Sequence, residues 1–275
     1  MDAQTIGFIG GGNMAGSLIG GLIADGMAPE AIWVADIDEA RLADLRGRLG
    51  VSTSAANDEV VARADTVVLA VKPQVMGEVV RGLAAAAREH RPLLVSVAAG
   101  VREGSIGAWL GYPAAVVRAM PNTPALLGCG ATALFANRQV SEAQRSAAES
   151  VLRAVGLTLW VDDEDQLDAV TALSGSGPAY YFLLMELMEE AGVRLGLARD
   201  SARMLTLQTA LGAARMALEA SEPPGVLRER VTSPGGTTER ALARLREGGI
   251  EALLLEAITA ARDRSAELGR MLGGE

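Results

Sequence analysis

Two short stretches of the chain put small residues and hydroxyls where backbone amides could meet an anion. The first, Gly10-Gly11-Gly12-Asn13-Met14-Ala15, follows the apolar run Thr5-Ile9 and leads straight into a helical pattern. It fits G-x-G-x-x-G/A in the context that pattern needs, a strand before it and a helix after it. Gly10 would permit the tight turn, Gly12 would let the backbone approach a pyrophosphate, and Ala15 is small enough for the helix to sit close to the strand. The phosphates would then lie on the free N–H groups of the helix N-terminus. The alternative is a plain glycine-rich turn in a chain with 32 glycines. The second stretch, Val231-Thr232-Ser233-Pro234-Gly235-Gly236-Thr237-Thr238, precedes a helical pattern over Glu239–Arg246. Its four hydroxyls and free amides suit a small carboxylate, with one hydroxyl left over for a neighbouring heteroatom. A capped helix start that binds nothing would account for the threonines but not for Gly235 and Gly236.

Other candidates lie where apolar runs end. About 20 residues beyond a dinucleotide fingerprint an acid is expected at the end of the second strand, and Asp36 stands there. Its carboxylate could accept from the adenosine ribose hydroxyls and would repel a 2′-phosphate, which points to NADH. Asp38 reads better as the cap of the helix beginning near Glu39. Arg41, one turn into that helix, could still reach a 2′-phosphate, so NADH and NADPH both stay open. In Ala70-Val71-Lys72-Pro73-Gln74 the proline ends the strand, and Lys72 either faces ribose or phosphates or is a solvated lysine at a helix entrance. Asn57 caps the helix Asp58–Ala64 or touches the adenosine, with capping the safer choice. Arg118-Ala119-Met120-Pro121-Asn122-Thr123-Pro124 reads as a rigid loop near a nicotinamide, or as an ordinary crossover. Cys129, between two glycines with no basic residue near it, is taken as structural.

The elements that must position these residues follow from periodicity. From Thr5 to about Thr158 short β-branched runs alternate with helical stretches, the pattern of βα units in a doubly wound, mostly parallel sheet. The predicted strands are Thr5–Ile9, Ala31–Ala35, Thr66–Val71, Leu93–Val97 and Ala115–Arg118, followed by Ala131–Phe135 and Leu157–Val161. Past Asp162-Asp163-Glu164-Asp165 only helical runs remain. The division is therefore residues 1–161, a Rossmann-like dinucleotide-binding domain, and residues 162–275, an all-α domain for substrate and dimerisation. In that half Ser201–Glu219 is apolar around most of the helix, which calls for burial on several faces, by a homo-oligomer in the preferred reading or at the centre of its own monomer as the alternative. The stretch Leu173–Tyr180, with Gly175, Gly177 and Pro178, should kink or restart its helix.

Composition narrows the remaining classes. With 49% hydrophobic and 21% charged residues over 275 positions the chain is globular. One cysteine and one histidine exclude a disulfide framework and a thiolate or imidazole zinc site, and no metal is expected. A net charge of −9 with 3% aromatic residues argues against nucleic acid as a partner. No apolar run reaches the roughly 18 residues of a membrane helix, and Met1-Asp2-Ala3-Gln4 lacks the features of a signal peptide, so a cytoplasmic location is expected. A hydrolase G-x-S-x-G elbow and a G-K-[ST] phosphate loop are absent.

Taken together, the Ile6–Ala15 turn, Ala70–Gln74, Met120–Pro124, Ser174–Ala179 and Val231–Thr238 resemble the pyrroline-5-carboxylate reductase family, in the same order and over nearly the whole chain. The resemblance implies an α/β fold with an N-terminal Rossmann domain and a helical C-terminal domain that interlocks with a second subunit, often within a larger ring. It implies reduction of the C=N bond of 1-pyrroline-5-carboxylate by NADPH or NADH to give L-proline, the last step of proline biosynthesis. It implies that the Gly10–Ala15 turn, Asn57, Ala70, Lys72, Pro73 and Ala99 line the cofactor. Ser233, Gly235, Gly236, Thr237 and Thr238 would bind substrate, with amides on the carboxylate and the Thr238 hydroxyl near the ring nitrogen as the catalytic contact. Many members carry Ser or Arg where this chain has Ala35-Asp36-Ile37-Asp38, which weakens the case for a strong NADPH preference. Two rival functions remain. One is a β-hydroxyacid dehydrogenase, whose relatives use a lysine in the helical half, where this chain has none because Lys72 is its single lysine. The other is a redox sensor that binds dinucleotide without turnover.

Overall fold

Strands that are apolar on both faces are stable only when helices cover both sides of their sheet. The computed structural model, which describes residues 4–273, forms that arrangement. Met1, Asp2 and Ala3, on which the signal-peptide argument partly rests, lie outside the described residues. Eight strands make one sheet in the order β3-β2-β1-β4-β5-β6-β7-β8: β1 (Ile6–Ile9), β2 (Ile32–Ala35), β3 (Ser52–Ser54), β4 (Thr66–Leu69), β5 (Leu93–Ser96), β6 (Val116–Met120), β7 (Gly130–Ala136) and β8 (Gly156–Trp160). Neighbours pair in parallel except β6 and β7, which are antiparallel. The first six strands thus follow the 3-2-1-4-5-6 order of a dinucleotide-binding sheet, whose strand order reverses at β1 and β4.

The helices of this part are α1 (Asn13–Ala24), α2 (Glu39–Leu49), α3 (Asn57–Val61), α4 (Pro73–His90), α5 (Glu103–Leu110), α6 (Glu142–Arg153) and α7 (Gln166–Val170). One core joins Phe8 and Val34 to Leu18 and Ile19 of α1; the other joins Ile9 and Leu69 to Met76 and Val80 of α4. Each core covers one face of the sheet. Periodicity predicts neither β3 nor α5. Ser52-Thr53-Ser54 is a polar edge strand, and Glu103–Leu110 contains two glycines among its eight residues.

From Gln166 onward the chain is helical, continuing with α8 (Gly177–Arg194), α9 (Arg199–Glu219), α10 (Pro224–Arg230), α11 (Thr237–Glu247) and α12 (Ile250–Gly273). Contacts divide the protein into two compact units, one running to Ser176 and resuming at Ala261, the other Gly177–Ala260. In the first unit the end of α12 returns to the sheet half: Gly269 lies against the backbone of Gly100, and the Ser265 hydroxyl donates to Asp168 at 2.7 Å. In the second, α8 and α9 form an antiparallel pair in which Gly192 admits Ala202. Only Ala202 and Thr206 of α9 are buried, while Met204, Leu205, Leu211 and Met216 are exposed in the single chain. Among the described residues no helix is long and apolar enough to cross a membrane.

Candidate active site

The glycine turn is wedged between the ends of β2 and β4, at the point where the strand order reverses. Gly10 has φ +98°, and its amide donates to the Ala35 carbonyl at 2.8 Å. A Cβ there would stand 2.8 Å from the Ala70 carbonyl oxygen, so both the dihedral and the space demand glycine. Gly12 occupies the cap position of α1 without any side-chain cap, leaving the first-turn amides of the helix without intrahelical partners. A Cβ on Gly12 would meet nothing within 4 Å, whereas Ala15 is fully buried against the strand. The turn therefore has an open side above the helix N-terminus, and the donors facing it fit a pyrophosphate. A cleft of about 570 Å³ adjoins it, lined by Gly12, Asn13, Arg41, Arg48 and Leu126 among others.

Asp36 is tied to this turn. Its Oδ2 accepts from the Gly11 amide at 2.7 Å and from Arg41 Nη1 at 3.3 Å, and its Oδ1 accepts from the Asp38 amide at 2.9 Å. Burial alone would raise its pKa, but the two amides and the guanidinium outweigh that and hold the carboxyl below its usual range. Asp38 caps α2, accepting from the Arg41 amide.

The remaining cofactor candidates also stand at the carboxyl edge of the parallel strands. Ala70 directly follows β4, and its amide donates to the Ile9 carbonyl at 2.8 Å. Lys72 is exposed at the cap position of α4, with Pro73 as the first helical residue. Ala99 lies just past β5, beside Gly100 with its φ of +76°. Asn57 departs from the capping expectation: it is the first residue of α3, the cap position belongs to Ala56, and no side chain caps the helix. The asparagine sits one position too late for its side chain to reach back over the turn.

Next to this edge the predicted rigid loop proves shorter than expected, because Arg118 to Met120 belong to β6 and Thr123–Leu127 forms a 3₁₀ turn. Asn122 links two backbone segments, its Oδ1 accepting from the Ala131 amide at 2.9 Å and its Nδ2 donating to the Ser174 carbonyl at 3.1 Å. In an α-helix Ser174 would receive the amide four residues on, but that residue is Pro178, which has none. Here Thr171–Gly175 form a π turn, closed by the Ser176 amide on the Thr171 carbonyl at 2.8 Å, and Asn122 supplies the missing donor. Gly175 packs closely at the same place, since a Cβ would stand 2.5 Å from Met120 Cε and the methionine tip would have to move aside. Asn122→Ala should lower stability by about 2 kcal/mol through two unpaired backbone groups. Urea unfolding checks this, and an unchanged midpoint would show that water replaces the amide at no cost.

In the second unit α11 begins at Thr237, two residues earlier than periodicity predicts, with Gly236 at the cap position and Gly235 at φ +72°. The expectation of free loop amides needs correction at two positions. Gly235 N–H donates to Glu239 Oε2 at 2.7 Å, and Gly236 N–H donates to the Ser233 carbonyl at 3.0 Å. The Thr232 hydroxyl is likewise committed, to the Arg228 carbonyl. What remains for an anion is the first-turn amides of Thr237 and Thr238, with the hydroxyls of Ser233, Thr237 and Thr238 around them. Cys129 is exposed, not packed as a structural thiol would be.

Residues 164–268 match the family described as pyrroline-5-carboxylate reductase dimerisation, and residues 5–100 match NADP oxidoreductase coenzyme F420-dependent. The pyrroline-5-carboxylate reductase of Pseudomonas aeruginosa is 54% identical over 99% of this chain and all of its own. The chain belongs to the pyrroline-5-carboxylate reductase family. A solved reductase of this family from Coxiella burnetii is 48% identical, with a TM-score of 0.93 over 97% of this chain and 99% of its own. The Plasmodium falciparum pyrroline carboxylate reductase, solved with NADP bound, is 28% identical with a TM-score of 0.86, covering 98% and 99% of the two chains. For a member of the reductase family the exposed apolar residues of α9 have an explanation, since they fall within the dimerisation match and a homo-oligomer covers them. Sequence reasoning missed Arg118 as an interior charge, although an arginine in the apolar strand Val116-Val117-Arg118-Ala119 is itself a signal. It is buried, and Glu164 pairs with it at 2.8 Å.

Proposed function

We propose that the chain reduces the C=N bond of 1-pyrroline-5-carboxylate with a hydride from NAD(P)H, giving L-proline in the last step of proline biosynthesis. The observation that carries this is similarity to reductases of that name from end to end, at 54% identity over 99% of the chain. The open glycine turn supports the dinucleotide half of the reaction. Gly10 to Ala15, Asp36, Ala70, Lys72, Pro73 and Ala99 hold the cofactor along the carboxyl edge of the sheet, and Asn57 touches the adenosine. Functionally the chain divides into residues 1–161 for dinucleotide and 162–275 for substrate and dimerisation.

In the substrate loop Thr237 and Thr238 present first-turn amides to the carboxylate, while Ser233, Gly235 and Gly236 shape the turn around it. The Thr238 hydroxyl bonds the ring nitrogen. An imine already protonated in solution needs orientation more than acid catalysis, so a site whose motifs contain no histidine or cysteine is adequate. The working form is a homodimer, or a larger homo-oligomer built from dimers, in the cytoplasm, where an exposed thiol such as Cys129 stays reduced.

Loss of absorbance at 340 nm with purified protein and 1-pyrroline-5-carboxylate tests the assignment. A folded protein that binds dinucleotide but turns nothing over would be a sensor. Thr238→Ala should lower kcat/KM about tenfold, or ~1.4 kcal/mol of transition-state stabilisation. A loss below about threefold, ~0.7 kcal/mol, would remove the catalytic role.

A further inference from the structure

We propose that this chain selects NADH over NADPH, and that Asp36, fixed by the glycine turn and paired with Arg41, is the residue that decides it. The inference rests on the reductase reading above only in taking the Gly10–Ala15 turn as the dinucleotide site.

The two cofactors differ by one phosphate on the adenosine 2′-oxygen, a group that carries between one and two negative charges at neutral pH. A site that accepts it needs a free cation or free donors at the end of β2. The residue at that place is an acid with its side chain only 8% exposed. Asp36 cannot turn away cheaply, because its Oδ2 holds the Gly11 amide and its Oδ1 holds the Asp38 amide. The glycine turn and the carboxylate are packed as one piece: a Cβ on Gly11 would stand 3.5 Å from Oδ2. An ionised carboxylate offers about four acceptor positions. Three are used here, by Gly11, Asp38 and Arg41, which leaves one on Oδ1 for a ribose hydroxyl.

The nearest cation is already engaged. Arg41 lies 3.3 Å from Asp36 and 3.7 Å from Asp38, so one guanidinium faces two carboxylates and the local sum is negative. Asp38 cannot leave either, since its side chain caps α2. The other arginines of α2 are occupied elsewhere: Arg46 on Thr53, and Arg48 on Asp44 at 3.2 Å. A 2′-phosphate brought to this place would meet the half-exposed Arg41 only while lying beside the two carboxylates that this guanidinium already faces. A 2′-hydroxyl meets an acceptor and gains a hydrogen bond.

The test is a fluorescence titration of the full-length protein with NADH and with NADPH in the absence of substrate, repeated for Asp36→Ser and Asp36→Asn. The asparagine removes the charge and keeps an oxygen for the Gly11 amide while giving up the acceptor that holds the Asp38 amide, and it remains informative if the serine variant folds poorly. The wild-type Kd for NADPH should exceed that for NADH by more than about tenfold, and each folded variant should reduce that ratio by more than about threefold. A smaller wild-type ratio, or a ratio that Asp36→Asn leaves within about threefold of wild type, overturns the proposal. Turnover of 1-pyrroline-5-carboxylate, read in parallel, separates the two claims. Selective binding without turnover would sink the reductase reading alone, and turnover with equal affinity for both cofactors would sink this inference alone.

Discussion

Gly12→Val is expected to fold like the parent chain and to bind dinucleotide at least about 100-fold more weakly, a loss of ~2.7 kcal/mol. The backbone at Gly12 has φ −69° and ψ −173°, a conformation any residue adopts, and an added Cβ would touch nothing within 4 Å. Nothing in the folded protein therefore objects to a Cβ at this position. The space it fills is the open side of the turn, directly above the unpartnered amides of α1, where a pyrophosphate must come within hydrogen-bond distance. A thermal melt within a few degrees of wild type, together with a lost fluorescence titration, would separate this position from Gly10. There, positive φ and the Ala70 carbonyl make any side chain a folding defect. Normal dinucleotide affinity in Gly12→Val would mean that the cofactor does not lie on this turn.

Asp168→Ala should cost about 3 kcal/mol of stability, the largest loss expected from one polar side chain here. The Asp168 carboxylate is 8% exposed and accepts from Ser265 Oγ at 2.7 Å and from Arg102 Nη2 at 2.9 Å. Around it Arg102 also meets Asp165, and Glu164 joins Arg118 at 2.8 Å while accepting the Glu103 amide at 2.7 Å. Truncation to alanine leaves a buried hydroxyl and part of a guanidinium without an acceptor, and that unpaired remainder dominates the cost. Asp168→Asn, which still offers Ser265 an oxygen, should lose less. Urea midpoints for the two variants check the order, and equal midpoints would mean that charge, not hydrogen bonding, sets the contribution.

The sheet and its glycine turn are legible in the sequence because burial on both faces writes strands as unbroken apolar runs, from Phe8 to Val117. Gly10 and Ala15 are likewise readable, since one must adopt positive φ and the other must be small. What escaped has a common physical cause, in that it depends on partners distant in sequence. Ser52-Thr53-Ser54 becomes a strand only because β2 lends it hydrogen bonds. Arg118 is tolerated inside the sheet only because Glu164, 46 residues on, comes to meet it. The antiparallel turn into β7 leaves no mark in periodicity, since the alternation of side chains is the same in either direction. At the substrate loop the residue types were readable but the choice of hydrogen bonds was not. Nothing in Gly235-Gly236-Thr237-Thr238-Glu239 announces that the glutamate will take the Gly235 amide.

The return of α12 has a consequence for the order in which the protein can be made. The unit that carries the glycine turn includes the residues from Ala261 onward, with Ser265 on Asp168 and Gly269 against Gly100. Domains generally fold as units, the N-terminal one first, while the chain is still being synthesised. Here the first half to leave the ribosome cannot close its last contacts until the final turns of the last helix have emerged. The dinucleotide half, first in sequence, is among the last parts of the molecule to be completed.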